Sequence, residues 1–197
     1  MASVQSTAKP SARERLLAAA NELFYAEGVQ SVGIDRVIEH AGVAKASLYN
    51  TFGGKEQLVR AYLDTRRAGT ADRITRAVAE HDTPREQMLA IFETQGRQFD
   101  RPDFRGCAFI RAGAEAGPGG LVQEAADAYR GWMRELFTRL AAEAGAADPE
   151  ALGHQLQILY DGAGISALMD HDSTVAVTTR AAAAALIAAA TGASAEA

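Results

Sequence analysis

The sequence predicts an all-α protein in two parts: a three-helix N-terminal domain with a helix-turn-helix, then a larger helical bundle. Three observations predict it. Residues 31–55, SVGIDRVIEHAGVAKASLYNTFGGK, read as two short helices joined by Ala41-Gly42-Val43. Apolar residues elsewhere recur at three- and four-residue steps, the period of a helix face. No stretch shows alternating β-branched residues between hairpin turns.

The elements follow in order. Residues 1–10 read as a flexible arm. Ser11 is a plausible N-cap for a helix over Ala12 to Glu27, with Leu16, Leu17, Ala20 and Phe24 on its inner face. Ile34, Val37, Ile38 and Ala41 share one face of the next helix. Gly42 permits the positive φ of a sharp helix exit, and Val43 plugs the angle. On the following helix Ala44, Leu48 and Phe52 repeat every four residues and are expected inward. Lys45, Ala46, Ser47, Tyr49 and Asn50 are left pointing out.

Lys55 opens a long helix through Leu58, Leu63, Ile74 and Val78, which ends before His81. Pro84 suits the first position of the next helix, which runs through Met88, Phe92, Gln95 and Phe99 to Asp100. Arg101-Pro102-Asp103 breaks it. A further helix is expected from Phe104 to Ala116, and Gly117-Pro118-Gly119-Gly120 ends it. Leu121 to Ala144 is another. Asp148 and Pro149 cap and start a helix over Glu150 to Asp170. Ser173 to Thr191 is the last, and the tail GASAEA reads as frayed.

A lysine, a hydroxyl, a phenol and an amide on one short exposed face suit phosphate oxygens and base edges of DNA. Lys45 and Asn50 are the candidates for bases, and Tyr49 for a phosphate. Lys55, at a helix N-terminus, adds a phosphate contact beside free backbone N–H groups. Arg36, Ala46 and Ser47 complete the candidate DNA-binding set. Taken alone, an αα-hairpin with a solvated polar face reads the same way.

The surrounding residues separate these readings. Arg13 to Leu63 resembles the DNA-binding domain of the tetracycline-repressor (TetR) family. Phe24 and Gly28 end the first helix, Ala41-Gly42-Val43 form the turn, and Leu48-Tyr49 with Phe52 mark the second helix. Lys55-Glu56 and Leu58 open the long one. The motifs occur in the family's order and spacing over about a quarter of the chain. Two positions depart from the pattern: Val32-Gly33 stands where many members have Thr or Ser, and Gly54 where many have Ser. Glycine is an acceptable N-cap, so the helices are expected to survive, without those hydroxyls' phosphate contacts.

Charge is arranged compatibly. The net charge is −5, yet residues 1–67 hold nine Lys/Arg against seven acids, and the remaining 130 hold eleven against eighteen. An acidic body is expected to turn away from DNA. The composition, 48% hydrophobic and 23% charged, is ordinary for a globular protein. No apolar run matches a membrane span or a signal peptide, so a cytoplasmic location without membrane association is expected. One cysteine, Cys107, allows no internal disulfide, and its apolar neighbours favour a small buried side chain over a sensor. His81, His154, His171, Asp161 and Asp170 match no ligand spacing. No metal, no cofactor and no catalytic residue is expected.

Residues 151–169 and 174–191 carry almost no charge, and a surface helix ordinarily has a charged side. Small residues there, Gly162, Ala163, Gly164, Ser166, Ala167 and the alanine tract, allow close helix approach. Either both helices are buried in their own domain, or they form a homodimer interface through 151–191. Surface-to-volume scaling favours the dimer, and the resemblance implies the same, through a four-helix interface.

Met88, Phe92, Gln95, Phe99, Phe104, Cys107, Ile110, Trp132, Met133, Phe137, Tyr160 and Asp161 are drawn from separate helices. As core they need no further explanation. The resemblance puts an effector pocket in this interior, with Gln95, Tyr160 and Asp161 as its polar groups. The expected organisation is a DNA-binding domain with an arm over 1–54 and a ligand-binding and dimerisation domain over 55–197. The expected function is a ligand-responsive regulator, a repressor that binds a palindromic double-stranded DNA operator as a homodimer and is released by a small, largely apolar effector. A helical ligand-binding or interaction module without DNA binding, and a helical-bundle enzyme, are the rivals.

Overall fold

A computed structural model describes residues 10–192; of the expected arm over 1–10, residues 1–9 lie outside the described residues, as does the tail beyond Gly192. Among the described residues the chain forms helices and no strand: α1 (Ala12–Glu27), α2 (Ile34–Ala41), α3 (Lys45–Phe52), α4 (Lys55–Ala79), α5 (Pro84–Phe99), α6 (Ala108–Ala116), α7 (Gly120–Glu143), α8 (Pro149–Asp170) and α9 (Val175–Thr191). The all-α class read from the sequence holds.

Capping chemistry sets several helix starts. Ser11 and Glu14 form a reciprocal box: the Ser11 hydroxyl accepts from the Glu14 N–H, and the Glu14 carboxylate accepts from the Ser11 N–H at 2.8 Å. Thr83 caps α5 and Asp148 caps α8, each followed by proline at the first helical position.

Two starts differ from expectation by more than one residue. The helix expected from Phe104 begins at Ala108, because residues 101–107 are held as a loop. The Arg105 N–H donates to the Tyr25 hydroxyl at 3.0 Å, not back along a helix. Gly106 sits at φ +78°, and a Cβ there would stand 2.9 Å from Leu168 Cδ2, so chirality and packing both favour glycine. The last helix begins at Val175, since the Asp172 carboxylate draws the Thr174 N–H and hydroxyl into a turn at 2.8 and 2.6 Å.

The first three helices form the head, closed by Leu16, Val37, Leu48 and Leu58, all fully buried. Phe24 meets Tyr62 of α4 edge to face at 5.6 Å. In the body α7 and α8 form the most extensive pairing. Their backbones approach at Gly153, where a Cβ would lie 2.3 Å from Thr138 Oγ1. Gln157 is fully buried between them but satisfied: it accepts from Arg134 at 2.8 Å and donates to the Arg130 carbonyl at 3.0 Å. Phe92 of α5 packs on Phe137 and Tyr160 at 5.6 and 6.1 Å. Burying such a side chain contributes about 1.5–3 kcal/mol.

α4 serves both regions. Leu58, Val59, Tyr62 and Leu63 are buried near its start, and Ile74 and Ala77 near its end. Between them no residue of α4 is fully buried, and there the helix borders a cavity. α8 and α9 each bury one side and leave the other bare. On α8 the exposed side runs Ile158, Gly162, Ile165, Met169; on α9 it runs Val177, Ala181, Ala185, Ala189. The four large side chains in this set are 42–74% exposed. Ala163, Gly164 and Ala167, expected among the close-approach residues, instead face inward. No described helix is long and apolar enough to cross a membrane.

Candidate functional site

The outer face of α3 is assembled by a short chain of backbone events. α2 ends at Gly42 in the left-handed region, φ +61°, whose N–H returns to the Glu39 and Ile38 carbonyls. Val43 packs in the angle against the core. Ala44 is the extended N-cap of α3, φ −71° and ψ 147°, and is exposed. It was expected to face inward with Leu48; it precedes the first helical turn, so the four-residue spacing does not apply to it. Leu48 is fully buried, Phe52 half-buried.

Lys45, Ala46, Tyr49 and Asn50 are exposed along one side of α3, and Ser47 is half-buried beside them. Tyr49 is 45% exposed, and no described side chain hydrogen-bonds its hydroxyl. Lys45 donates to the Asp35 carboxylate at 2.8 Å, and this hydrogen bond and charge raise the pKa of its ammonium. Both partners are exposed, so the pair yields readily to a competing anion. Arg36 is directed back to the head, where both carboxylate oxygens of Glu27 meet its guanidinium. Lys55 lies half-buried at the start of α4, 3.5 Å from the Gln30 carbonyl. The lysines, Tyr49 and Asn50 thus lie at the start of α3, on its outer side and at the start of α4.

Arg15 is a positioning residue that sequence reading passed over. Its guanidinium donates to the Gly42 carbonyl at 2.9 Å and the Ala41 carbonyl at 3.4 Å. It therefore satisfies the orphan carbonyl end of α2 and ties the turn to α1. The only sequence signal is a basic residue on an amphipathic helix, and that is common.

The body holds a cavity of about 300 Å³, partly open to solvent, between the middle of α4, α1, α5, the 101–107 loop, α7 and α8. Six residues expected in a pocket line it: Gln95, Phe99, Phe104, Cys107, Tyr160 and Asp161. The other six do not. Met88, Phe92, Met133 and Phe137 are buried in the bundle core, Ile110 is on the surface, and Trp132 borders a separate surface cleft with Ile74 and Leu136. Sequence reading missed the α4 wall, Thr65, Arg66, Gly69, Thr70 and Arg73. The wall is also more polar than a largely apolar effector would require.

Electrostatics inside the cavity follow from burial. It raises the Asp161 carboxyl, opposed by the Arg130 guanidinium at 3.1 Å. It pushes the Tyr129 and Tyr160 hydroxyls up, and the Cys107 thiol too, despite the N–H groups of Ile110 and Phe109 nearby. The thiol is therefore held in its unreactive form. No cluster of three His, Cys, Asp or Glu is arranged for a metal among the described residues.

Cavity and head share contacts. The Tyr25 hydroxyl donates to the Gly106 carbonyl at 3.1 Å, and Arg111 donates to the Tyr25 carbonyl at 2.6 Å. The Glu115 carboxylate accepts from the Gln30 N–H at 2.7 Å. Arg66 lies 3.8 Å over the Tyr25 ring and donates to the Asn21 carbonyl at 3.1 Å.

Comparison with known proteins places this arrangement. Residues 16–62 match the family model "Bacterial regulatory proteins, tetR family". The solved structure of SCO4454, a TetR-family transcriptional regulator from Streptomyces coelicolor, is similar at 36% identity, covering 93% of this chain and 92% of that one with a TM-score of 0.88. The uncharacterized HTH-type transcriptional regulator YxaF of Bacillus subtilis is 26% identical over 177 residues, 85% of this chain and 91% of its own. The TetR-family regulator CifR, solved with a 26-bp operator duplex, shares the fold at 23% identity and a TM-score of 0.75, over 90% of this chain and 98% of that one.

Proposed function

The chain belongs to the TetR family of helix-turn-helix transcriptional regulators and is not an enzyme; from this premise we propose that it is a ligand-responsive repressor acting as a homodimer. Residues 1–54 are assigned to the DNA-binding domain and 55–197 to the ligand-binding and dimerisation domain. Two heads bind half-sites of a palindrome roughly 34–36 Å apart. Lys45 and Asn50 read base edges, Tyr49 and Lys55 hold phosphates, and Ser47, Ala46 and Arg36 complete the surface. The observation that carries this reading is the outer side of α3: an exposed phenol, an amide and a lysine whose partner among the described residues is an exposed carboxylate.

The dimer is assigned to the bare apolar sides of α8 and α9. An effector entering the body cavity favours a head arrangement that does not fit the operator, and acts through its difference in affinity for the two states. The contacts from Tyr25 and Gln30 to the 105–115 segment support that route, since the cavity wall and the head share side chains.

Selection of genomic fragments with the purified protein, followed by footprinting, tests the reading. A protected palindrome is expected, with half-sites one helical turn apart. Absence of any preferred fragment would leave a helical ligand-binding module. Binding without occlusion of the promoter would reverse the sense from repression to activation.

A further inference from the structure

The cavity wall carries three guanidiniums, from Arg66, Arg73 and Arg101, and two carboxylates, from Asp103 and Asp161. Arg101 and Asp103 pair at 2.9 Å and cancel. Asp161 is taken by Arg130 at 3.1 Å. Arg66 and Arg73 remain, and among the described residues neither has a carboxylate within ion-pair distance. Arg73 donates only to the neighbouring Thr70 hydroxyl, at 3.0 Å. The Nε of Arg66 is buried with no hydrogen-bond partner. On α4 these residues stand seven apart, two turns on one face, with Gly69 and Thr70 between them. Gly69 leaves bare backbone there, and a Cβ would meet only Arg73, at 3.6 Å.

Across the cavity the wall changes character. Phe99 and Phe104 are tilted together at 5.3 Å, and Phe109 and Tyr129 are stacked at 4.2 Å. The chamber therefore presents planar cations without a carboxylate partner on one side and aromatic rings on the other. A guanidinium fork matches a carboxylate in shape and charge, and the pairing is strongest where water is partly excluded. A cavity of about 300 Å³ sits at the small end of ligand pockets.

We propose that the cavity takes a small aromatic carboxylate of one or two rings, with its carboxylate between Arg73 and Arg66 and its ring against Phe99, Phe104 and Tyr129. This rests on the reading of the cavity as the effector site and names the effector's class. It also supplies a trigger. Arg66 now stacks on Tyr25 and holds the Asn21 carbonyl of α1, and a bound carboxylate competes for that same guanidinium.

The test is calorimetric titration of the full-length protein with benzoate, cinnamate and 2-naphthoate, each beside its neutral carboxamide, with sodium sulfate as a bare anion. At least one acid is expected to bind tenfold or more tighter than its amide and than sulfate. Arg73→Gln is expected to remove that preference. Arg73→Lys, which keeps the charge and loses the fork, is expected to retain part of it. Equal binding of acids and amides, unchanged acid binding by both Arg73 variants, sulfate matching the acids, or no binding by any acid would each overturn the proposal. A gel shift on the selected genomic fragment separates the two readings. Amides that bind and release DNA would leave the cavity as effector site and remove the anion. Acids that bind with their preference intact, and leave DNA affinity unchanged, would keep the site and remove its regulatory role.

Discussion

The outer side of α3 and the bare sides of α8 and α9 are both exposed, and their chemistry is opposite. α3 offers Lys45, Ser47, Tyr49 and Asn50; α8 and α9 offer Ile158, Ile165, Met169 and Val177 with glycine and alanines between. The first surface keeps its hydration until a polyanion displaces it. The second would gain roughly 25 cal/mol per Å² of apolar area that a partner covers. One surface can therefore wait unoccupied in the free protein, whereas the other calls for a permanent partner. The assigned functions, reversible DNA contact and constitutive dimer, follow that division.

The comparison breaks most visibly at Gly162. This glycine is exposed on the α8 side, and a Cβ there meets nothing within 4 Å, so Gly162→Arg should not disturb the protomer. In a two-fold interface the substitution appears twice against itself. Sedimentation is expected to show monomer, and operator affinity to fall by about a hundredfold or more as the second head's avidity is lost. A variant that still sediments as a dimer would move the interface elsewhere. At Gly164, in the same small-residue run, a Cβ would stand 3.5 Å from Gln95 Nε2, and the residue lines the cavity, so an arginine there tests packing instead.

Salt should separate the two surfaces without any substitution. If a bound dimer neutralises about four phosphates, raising NaCl from roughly 50 to 200 mM lowers operator affinity on the order of a hundredfold. The apolar dimer should not weaken over the same range. Parallel gel-shift and sedimentation series would show it, and a dimer that dissociates with salt would mean that its interface is ionic.

Between the surfaces Tyr62 reports the head–body joint. Burial against Phe24 pushes its hydroxyl from 10 up to about 12. A pKa raised on folding means that the contribution is complete below pH 10 and is lost as pH rises from 10 through 12. Tyr62→Phe keeps the ring packing and should lose about 2 kcal/mol less stability across that window than the native chain. Denaturant melts at pH 9 and 11.5 measure it; identical losses would place the hydroxyl in water.

Smaller effects sharpen the α3 side. Lys45→Ala should weaken operator binding about tenfold and relax one base position. Tyr49→Phe, removing one phosphate hydrogen bond, should cost roughly threefold on every sequence alike. Asp35→Asn frees Lys45 from its internal anion and should tighten binding. Competition gel shifts with single-base operator variants distinguish these outcomes, and unchanged affinity in both Lys45 and Tyr49 variants would remove α3 as the reader.

The head was legible because its signals are local. Ser11, Gly42, Leu48 and Lys55 each act within one or two turns, so spacing alone carries the information. The cavity was half legible because it is a product of long-range packing. Arg66 and Arg73 read as the solvated side of a long helix, and only the docking of α1, α5, α7 and α8 encloses them. Phe92 and Phe137 have the composition of a pocket wall, yet they are buried against each other and do not border the cavity. The start of α6 was misplaced for a similar reason: the Arg105 N–H is claimed by Tyr25, eighty residues away, and no local pattern announces that. Glycine at 69 and at 106 were the available hints of bare backbone near a void and of a broken helix.

The two bonds from α6 to the head have a mechanical consequence. Arg111 and Glu115 lie one helical turn apart, roughly 6 Å along the axis, and they pin α1 at the Tyr25 carbonyl and the chain just beyond it at the Gln30 N–H. With the continuous α4 and the Tyr25–Gly106 and Arg66–Asn21 bonds, they brace the head along its α6 side. A push from the 105–107 side therefore reaches α1 and the chain just beyond it through directly bonded groups. In the proposed homodimer, the way each head is braced on its own body would set the gap between the two α3 helices.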